Sequence, residues 1–289
     1  MQILAKNVKY VYSQKSKSLA TSALSGVNLT VKEGEFFGIV GKTGSGKSTF
    51  VQHLNGLIIP QKNGGELYVG DFNLCDKKCD FFALRKKVGM VFQYPEHQLF
   101  AETVKDDVAY ALKNFIPELK ENEINEKVKN ALNLVGLDYE KIKDKSPFEL
   151  SGGQKRRVAI AGVLISEPEV LLLDEPAAGL DPSGKKDFLA LLKKVHKTFV
   201  KTIIIVSHDM DLITENCTSL AVFSQGEIVK SGTPKEIFLD KDLIKNAELE
   251  LPLVAKLTLK LKEKFTFEPK DLTVNSFISE YKKLRGVTR

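Results

Sequence analysis

The octapeptide Gly41-Lys42-Thr43-Gly44-Ser45-Gly46-Lys47-Ser48 has the spacing G-x-x-x-x-G-K-S. The chemistry open to that spacing is the holding of phosphate groups. Gly44 and Gly46 let backbone N–H groups turn inward around phosphate oxygens, and a helix starting beyond them adds the partial positive charge of its N-terminus. Lys47 is then placed to reach β- and γ-phosphates, and Ser48 offers a hydroxyl to Mg2+. Far downstream the apolar run Val170-Leu171-Leu172-Leu173 ends in Asp174-Glu175. An acid at the carboxyl end of a buried strand lies where open sheets bind ligands. Asp174 is the candidate to hold Mg2+, through water. Glu175 is the candidate to polarise a water for in-line attack on the γ-phosphate. Read alone, Glu175 is also a surface carboxylate opening the turn at Pro176.

Three further candidates are weaker one by one. Gln93 follows the apolar stretch Val88 to Phe92 and could touch both Mg2+ and the attacking water, although a Gln after a strand is as often an ordinary surface residue. His208 ends the apolar run Thr202 to Val206, on the sheet edge expected for Asp174, where it could contact a γ-phosphate. Ser151-Gly152-Gly153-Gln154 opens a helix, with Ser151 a natural N-cap and two glycines allowing close approach of an anion. That is a second phosphate-binding device beside one Lys-bearing loop. It is either a plain capped helix or a device serving the nucleotide of another molecule, as a two-fold or pseudo-two-fold dimer would allow.

Short apolar strands alternating with helices must position these groups. Glu35 to Val40 enters the glycine-rich loop, and Ser48 to Leu57 reads as the helix leaving it. Leu4 to Tyr12 and Val27 to Val31 read as strands joined by a polar Ser/Lys loop. Lys87 to Phe92, Val170 to Leu173 and Thr202 to Val206 read as buried strands, with Asp187 to Val195 a helix between the last two. Such alternation predicts a mostly parallel sheet with right-handed crossovers. Leu220 to Phe223 and Glu227 to Val229 flank Gln225-Gly226 as a hairpin. Ala101 to Gly162 turns helical, with Val128, Leu132 and Val135 on one face and Gly136 as a stop. After Pro234 the pattern is helical again, with Leu253, Leu257 and Leu261 in register and Thr273 capping a helix through Phe277, Tyr281 and Leu284.

Composition narrows the classes. At 289 residues, with 43% hydrophobic and 28% charged residues, the chain can bury a full α/β core and a small appendage. No apolar run is long enough for a membrane-spanning helix, and Met1-Gln2-Ile3-Leu4 lacks the pattern of a signal peptide, so a cytoplasmic protein is expected. The net charge of +6 is spread along the chain rather than clustered, so no nucleic-acid partner is expected. Arginine is scarce, yet Arg85, Arg156 and Arg157 stand within or beside the motif segments, where planar bidentate contacts are expected. The three cysteines offer neither a zinc set nor a disulfide expected in a reducing compartment.

Together these motifs resemble the ATP-binding cassette ATPases, over residues 1 to about 235. The resemblance implies an α/β fold: a P-loop NTPase cassette with a mostly parallel sheet, an antiparallel β subdomain, a helical signature subdomain at roughly 95–165 and a C-terminal helical extension at 236–289. It implies ATP and Mg2+ as ligands. Tyr12 would stack on adenine, and Gly41, Thr43, Gly44, Ser45, Gly46, Lys47, Ser48 and Thr49 would form the phosphate loop. Ser48, Gln93 and Asp174 would hold the metal. Glu175 would be the general base, with Gln93 and His208 assisting. Ser151, Gly152, Gly153, Gln154 and Asp181 would serve the dimer-shared nucleotide. Ala177 departs from the family, which commonly has Thr there.

Phe92 to Phe100 and the stretch Ser146-Pro147-Phe148-Glu149 running into Leu150 to Arg157 resemble the energy-coupling-factor transporters, importers of vitamins and metals. The resemblance is to the second of their two ATPase subunits. It implies a heterodimer with a sister ATPase, a transmembrane coupling subunit, a substrate-binding membrane subunit, and a peripheral place on the cytoplasmic face of the membrane. Glu96 and Gln98 would lie on the short helix that receives the coupling protein. The alternative is a soluble cassette ATPase acting on DNA or ribosomes. Those relatives usually carry coiled-coil insertions or two cassettes, and the sequence has neither a sustained heptad nor a second Lys-bearing loop.

Overall fold

A computed structural model describes residues 1–12 and 21–286. The polar loop expected after the first strand falls at 13–20, outside the described residues. The chain begins β1 (Ile3–Tyr12), β2 (Thr21–Val31), β3 (Phe36–Gly41), α1 (Lys47–Leu54), β4 (Glu66–Val69), β5 (Phe72–Asn73), α2 (Phe81–Lys87) and β6 (Val88–Val91). A 3-10 helix at Pro95–Gln98 leads to α3 (Val104–Phe115), α4 (Glu121–Leu134), α5 (Tyr139–Ile142), a second 3-10 turn at Pro147–Glu149 and α6 (Gly152–Leu164). Then come β7 (Val170–Asp174), α7 (Pro182–His196), β8 (Thr202–Val206), α8 (Met210–Asn216), β9 (Ser219–Ser224) and β10 (Glu227–Gly232). The described chain ends with α9 (Pro234–Phe238), α10 (Lys241–Asn246), α11 (Leu253–Lys262) and α12 (Val274–Leu284).

The strands form two sheets, ordered β10-β9-β3-β8-β7-β6 and β2-β1-β4-β5. The larger is parallel from β9 to β6, with β10 antiparallel at its edge. The smaller is antiparallel. β7 and β8 are buried at every position, as a sheet covered on both faces demands. Alternation along them divides the core. Leu171, Leu173, Ile203 and Ile205 face the helices α3, α4, α6 and α7. Val170, Leu172, Ile204 and Val206 face α1 and the antiparallel sheet. The parallel sheet, the antiparallel subdomain, the helical insertion and the helical tail follow the expected α/β cassette plan.

Several boundaries differ from expectation. α1 stops at Leu54 rather than Leu57, because Asn55 caps it and Gly56 turns left-handed at φ +69. α7 begins at Pro182, five residues before the expected Asp187. Asp181 caps it by accepting from Gly184 N at 2.7 Å, with proline at its first position. β4, β5, α2 and α8 were not expected from the pattern. No helix of the described residues is long and apolar enough to cross a membrane.

Candidate functional site

The glycine-rich loop leaves β3 at the carboxyl edge of the parallel sheet and turns into α1. Gly46 sits at φ +102, and a Cβ there would lie 2.4 Å from the carbonyl of Ala23 in β2. Glycine is therefore required by both backbone angle and space. The hairpin after β9 props the loop from below: Gly226 N donates to Ser45 O at 3.0 Å. Inside, Lys47 Nζ donates to Gly41 O at 2.7 Å and Lys42 O at 2.8 Å. Burial holds its ammonium below the ordinary value, while the charges of Glu175 and then Asp174 pull it back up. Ser45 Oγ is buried without a hydrogen-bond partner among the described residues. A leftover hydroxyl in a cradle of N–H groups suits a phosphate oxygen.

Ser48 Oγ donates to Asp174 Oδ1 at 3.1 Å, which brings together two of the three residues expected at the metal. Burial raises the Asp174 carboxyl above its ordinary value, against the Ser48 bond and the Lys47 charge. One carboxylate, one hydroxyl and room for phosphate oxygens is the hard-oxygen set that Mg2+ takes. No cluster of three His, Cys, Asp or Glu side chains gathers among the described residues, so substrate oxygens and water would have to complete the shell. Gln93, the third expected ligand, stands exposed two residues beyond β6.

Glu175 adopts φ +49, an uncommon left-handed angle for glutamate. Its N–H donates to Val206 O at 3.0 Å, which ties it to the end of β8. Its Oε2 lies 2.8 Å from His208 Nδ1. The two residues come from neighbouring strand ends, as expected. Tyr12 lies beside the loop, its hydroxyl 3.3 Å from Thr49 Oγ1, and its ring is exposed. The neighbouring Tyr10 packs edge-on between Tyr12 and His53.

Ser151 to Gln154 lies apart. Ser151 Oγ accepts from Gln154 N at 3.3 Å, and Gln154 Oε1 accepts from Ser151 N at 3.1 Å, a reciprocal capping box. The Gln154 side chain is thus engaged in its own helix. A Cβ on Gly152 or Gly153 would meet nothing within 4 Å, so the chain itself does not require glycine there. No hydrogen bond joins this segment to the phosphate loop among the described residues. Asp181 caps α7 and is exposed.

The arginines make the expected planar contacts, mostly to backbone carbonyls. Arg85 reaches Asn55 O and Gly56 O, and Arg157 reaches Val135 O and Asp187. Arg156 reaches Pro176 O and Ala178 O. Two links are not legible in the sequence. Lys185 pairs with Asp209 at 2.7 Å beside His208. Lys42, in the phosphate loop, pairs with Glu248 at 2.7 Å. Neither carries a local signal, since the partners lie far apart in sequence.

The family described as ABC transporter matches residues 24–178. The chain is 48% identical over 264 residues to "Energy-coupling factor transporter ATP-binding protein EcfA2" of Clostridium tetani, covering 91% of this chain and 90% of that protein. It is 42% identical over 281 residues to the protein of the same name from Streptococcus thermophilus, covering 96% and 98%. Among solved structures, cbiO1 from Clostridium perfringens, described as part of the ABC transporter complex cbiONQ, aligns with TM-score 0.71 and 39% identity over 88% of this chain and 97% of that one. The ATP-binding cassette MJ0796, solved as a dimer in a post-hydrolysis state with ADP and Pi, aligns with TM-score 0.71 and 30% identity over 81% and 99%.

Proposed function

Because the chain belongs to the ABC transporter ATPases, of the energy-coupling-factor kind, we propose that it drives import by pairing with a sister ATPase on the cytoplasmic face of the membrane. The observation that carries the reading is the meeting of Lys47, Ser48, Asp174, Glu175 and His208 at one sheet edge. It is supported by a capped, open Ser151-Gly152-Gly153 segment that its own chain leaves free. In this reading residues 1–235 form the cassette, with its helical subdomain at 95–165, and 236–289 form a helical extension. The cargo is a vitamin, another micronutrient or a metal ion.

The chain's residues divide the work. Tyr12 offers a ring face to adenine. The N–H groups of residues 43–49, Ser45 Oγ and Lys47 Nζ receive the phosphates, and Lys47 exchanges its two loop carbonyls for phosphate oxygens. Ser48 and Asp174, with Gln93, are the residues that fit Mg2+, which when bound neutralises charge on the β- and γ-phosphate oxygens. Glu175 Oε2 accepts a proton from the attacking water, and His208 Nδ1 holds that carboxylate in place. Ser151 and the N–H groups of Gly152 and Gly153 are offered to the nucleotide of the sister subunit, while Asp181 faces the same seam. Closure on two nucleotides and reopening after hydrolysis would be passed to a transmembrane coupling subunit and a substrate-binding membrane subunit.

Co-purification of the tagged chain from mild-detergent-solubilised membranes tests this. Mass spectrometry should find a different cassette ATPase and an integral membrane protein. A soluble homodimer, or a complex with DNA or ribosomes, would overturn the transport reading and leave the ATPase standing.

A further inference from the structure

We infer that Arg156 is a positioning residue that ties the loop carrying Glu175 to the 3-10 helix Pro95–Gln98, so that the position of that helix tunes the geometry of hydrolysis. This rests on the proposed role of Glu175.

The loop from Glu175 to Asp181 is anchored at its start by the Glu175 N–H bond to Val206 O and by the buried Ala177, and the carbonyls beyond depend on α6. The loop consists of two consecutive turns, in which Ala178 N donates to Glu175 O at 3.1 Å and Leu180 N donates to Ala177 O at 3.2 Å. The intervening carbonyls, Pro176 O and Ala178 O, both accept from Arg156, the latter at 2.9 Å. The guanidinium thus grips alternate carbonyls between the hydrolytic carboxylate and the Asp181 cap. Arg156 is only 6% exposed and sits on α6, directly behind the Ser151 capping box. A change in its tilt would move the Glu175 loop and the Ser151 segment together.

The other side of the guanidinium faces the 3-10 helix. α6 packs against Pro95–Gln98. Arg156 Nε is buried without a partner, and Glu96 Oε2 is buried without a partner, among the described residues. Burial disfavours the arginine's charge, and the Glu96 charge is the first to favour it. No direct ion pair joins Arg156 and Glu96 among the described residues, so two complementary orphans lie near each other across a packed seam. Buried polar groups are almost always paired. A small displacement of the 3-10 helix would complete this pair and redirect the fork. The seam is reinforced by Tyr94, at φ +55, whose ring edge would lie 3.5 Å from a Cβ on Gly179. Lysine could not substitute, because a point charge cannot span two carbonyls and keep a third planar donor toward Glu96.

The test uses the full chain in the complex with which it co-purifies. Steady-state ATPase kinetics and melting temperatures are measured for wild type, Glu175→Gln, Arg156→Lys, Arg156→Gln, Glu96→Gln and the Arg156→Lys/Glu96→Gln double variant. Arg156→Lys should lose roughly 10- to 100-fold in kcat, as expected for a misplaced reacting group. Its KM for ATP should stay within about twofold, and lysine should not rescue the glutamine variant. The double variant should be no slower than Arg156→Lys alone, since the two residues act through the one pairing that a shift of the 3-10 helix completes. Should Arg156→Gln fail to fold, Arg156→Lys and Glu96→Gln carry the test. Wild-type kcat in Arg156→Lys, a loss confined to KM, or multiplicative losses in the double variant would each overturn the inference. If Glu175→Gln abolishes turnover while Arg156→Lys does not, only this inference falls. Turnover that survives Glu175→Gln overturns the hydrolytic reading, and this inference with it.

Discussion

Replacing Glu175 with glutamine removes a charge and no volume, so its consequences can be separated in size. The fold should hardly notice. Glu175 is held by its backbone bond to Val206 O at 3.0 Å, which glutamine keeps, and its side-chain partner His208 is 77% exposed. With Glu175 itself 19% exposed and its partner largely in water, the pair contributes about 1 kcal/mol, which for a chain of this size shifts the melting temperature by about 2 °C. Nucleotide binding should hold or improve, since Glu175 is the stronger of the two acidic charges acting on Lys47 and also repels phosphate. Turnover should collapse. Loss of a positioned general base costs about 10²–10⁴ in rate, equivalent to about 2.7–5.4 kcal/mol of barrier. Phosphate release by the assembled complex, with the sister subunit's own hydrolytic site inactivated, gives kcat and KM, and thermal unfolding gives the stability control. A kcat within tenfold of wild type would refute the reasoning. So would a raised KM with kcat intact, which would mean Glu175 binds rather than reacts. A melting drop well beyond 2 °C would also refute it, by turning the loss into a folding effect.

Other outcomes follow from the same geometry. Gly46→Ala should abolish nucleotide binding and lower the melting temperature, as it adds about 1–2 kcal/mol of left-handed strain to a 2.4 Å clash with Ala23 O. Gly152→Ala meets nothing within 4 Å, so it should leave the melting temperature of the chain intact and cut turnover only in the complex. An unaffected complex would show that nothing approaches that segment. Because burial raises the Asp174 carboxyl above 3.8, its contribution to folding is present below 3.8 and lost as pH rises through the raised value. Mg2+-dependent nucleotide binding should run the other way, weakening on acidification at a pH above 3.8. In Asp174→Asn that acid limb should vanish, and its persistence would assign it to another group. Cys217 is buried and its thiol is pushed far up, whereas Cys75 and Cys79 are partly exposed. Maleimide should therefore label at most two of the three cysteines in the native chain and the third only after unfolding, which mass spectrometry reads directly.

What the sequence disclosed depended on whether the signal was local. β7 and β8 are continuous apolar runs, and Gln225-Gly226 sits in the left-handed region at φ +50 and +80, so strands and hairpin were legible. The phosphate loop and the Asp174-Glu175 pair were legible because their chemistry is written in consecutive residues. The start of α7 is hidden because Pro182-Ser183-Gly184 looks like a turn, whereas with Asp181 as cap it is a helical first turn. β5 has two residues, and α2 buries only Leu84, too little periodicity to read. The targets of the arginines could not be foreseen. A fork suits carboxylate, phosphate and carbonyl alike, and only the packing of α6 against the 176–178 loop decides.

The strand order has a consequence for synthesis. β3, which launches the phosphate loop, is hydrogen-bonded between β8 and β9, with Phe37 opposite Ile204 on one side and Ser219 on the other. On the ribosome β3 therefore waits for both neighbours, roughly 10–40 s at ordinary elongation rates. Even Met1 waits, since its carbonyl accepts from Thr202 Oγ1 across 201 residues. The antiparallel sheet is different, because β1, β2, β4 and β5 are all translated by Asn73 and can assemble early. The nascent chain thus carries a complete G-x-x-x-x-G-K-S loop, without Asp174 or Glu175 and with an apolar strand unpaired on both sides. ATP can stabilise the finished protein by mass action, but it has no site on the unfinished one. That interval, with β3 exposed, is when the chain depends most on its surroundings to stay soluble.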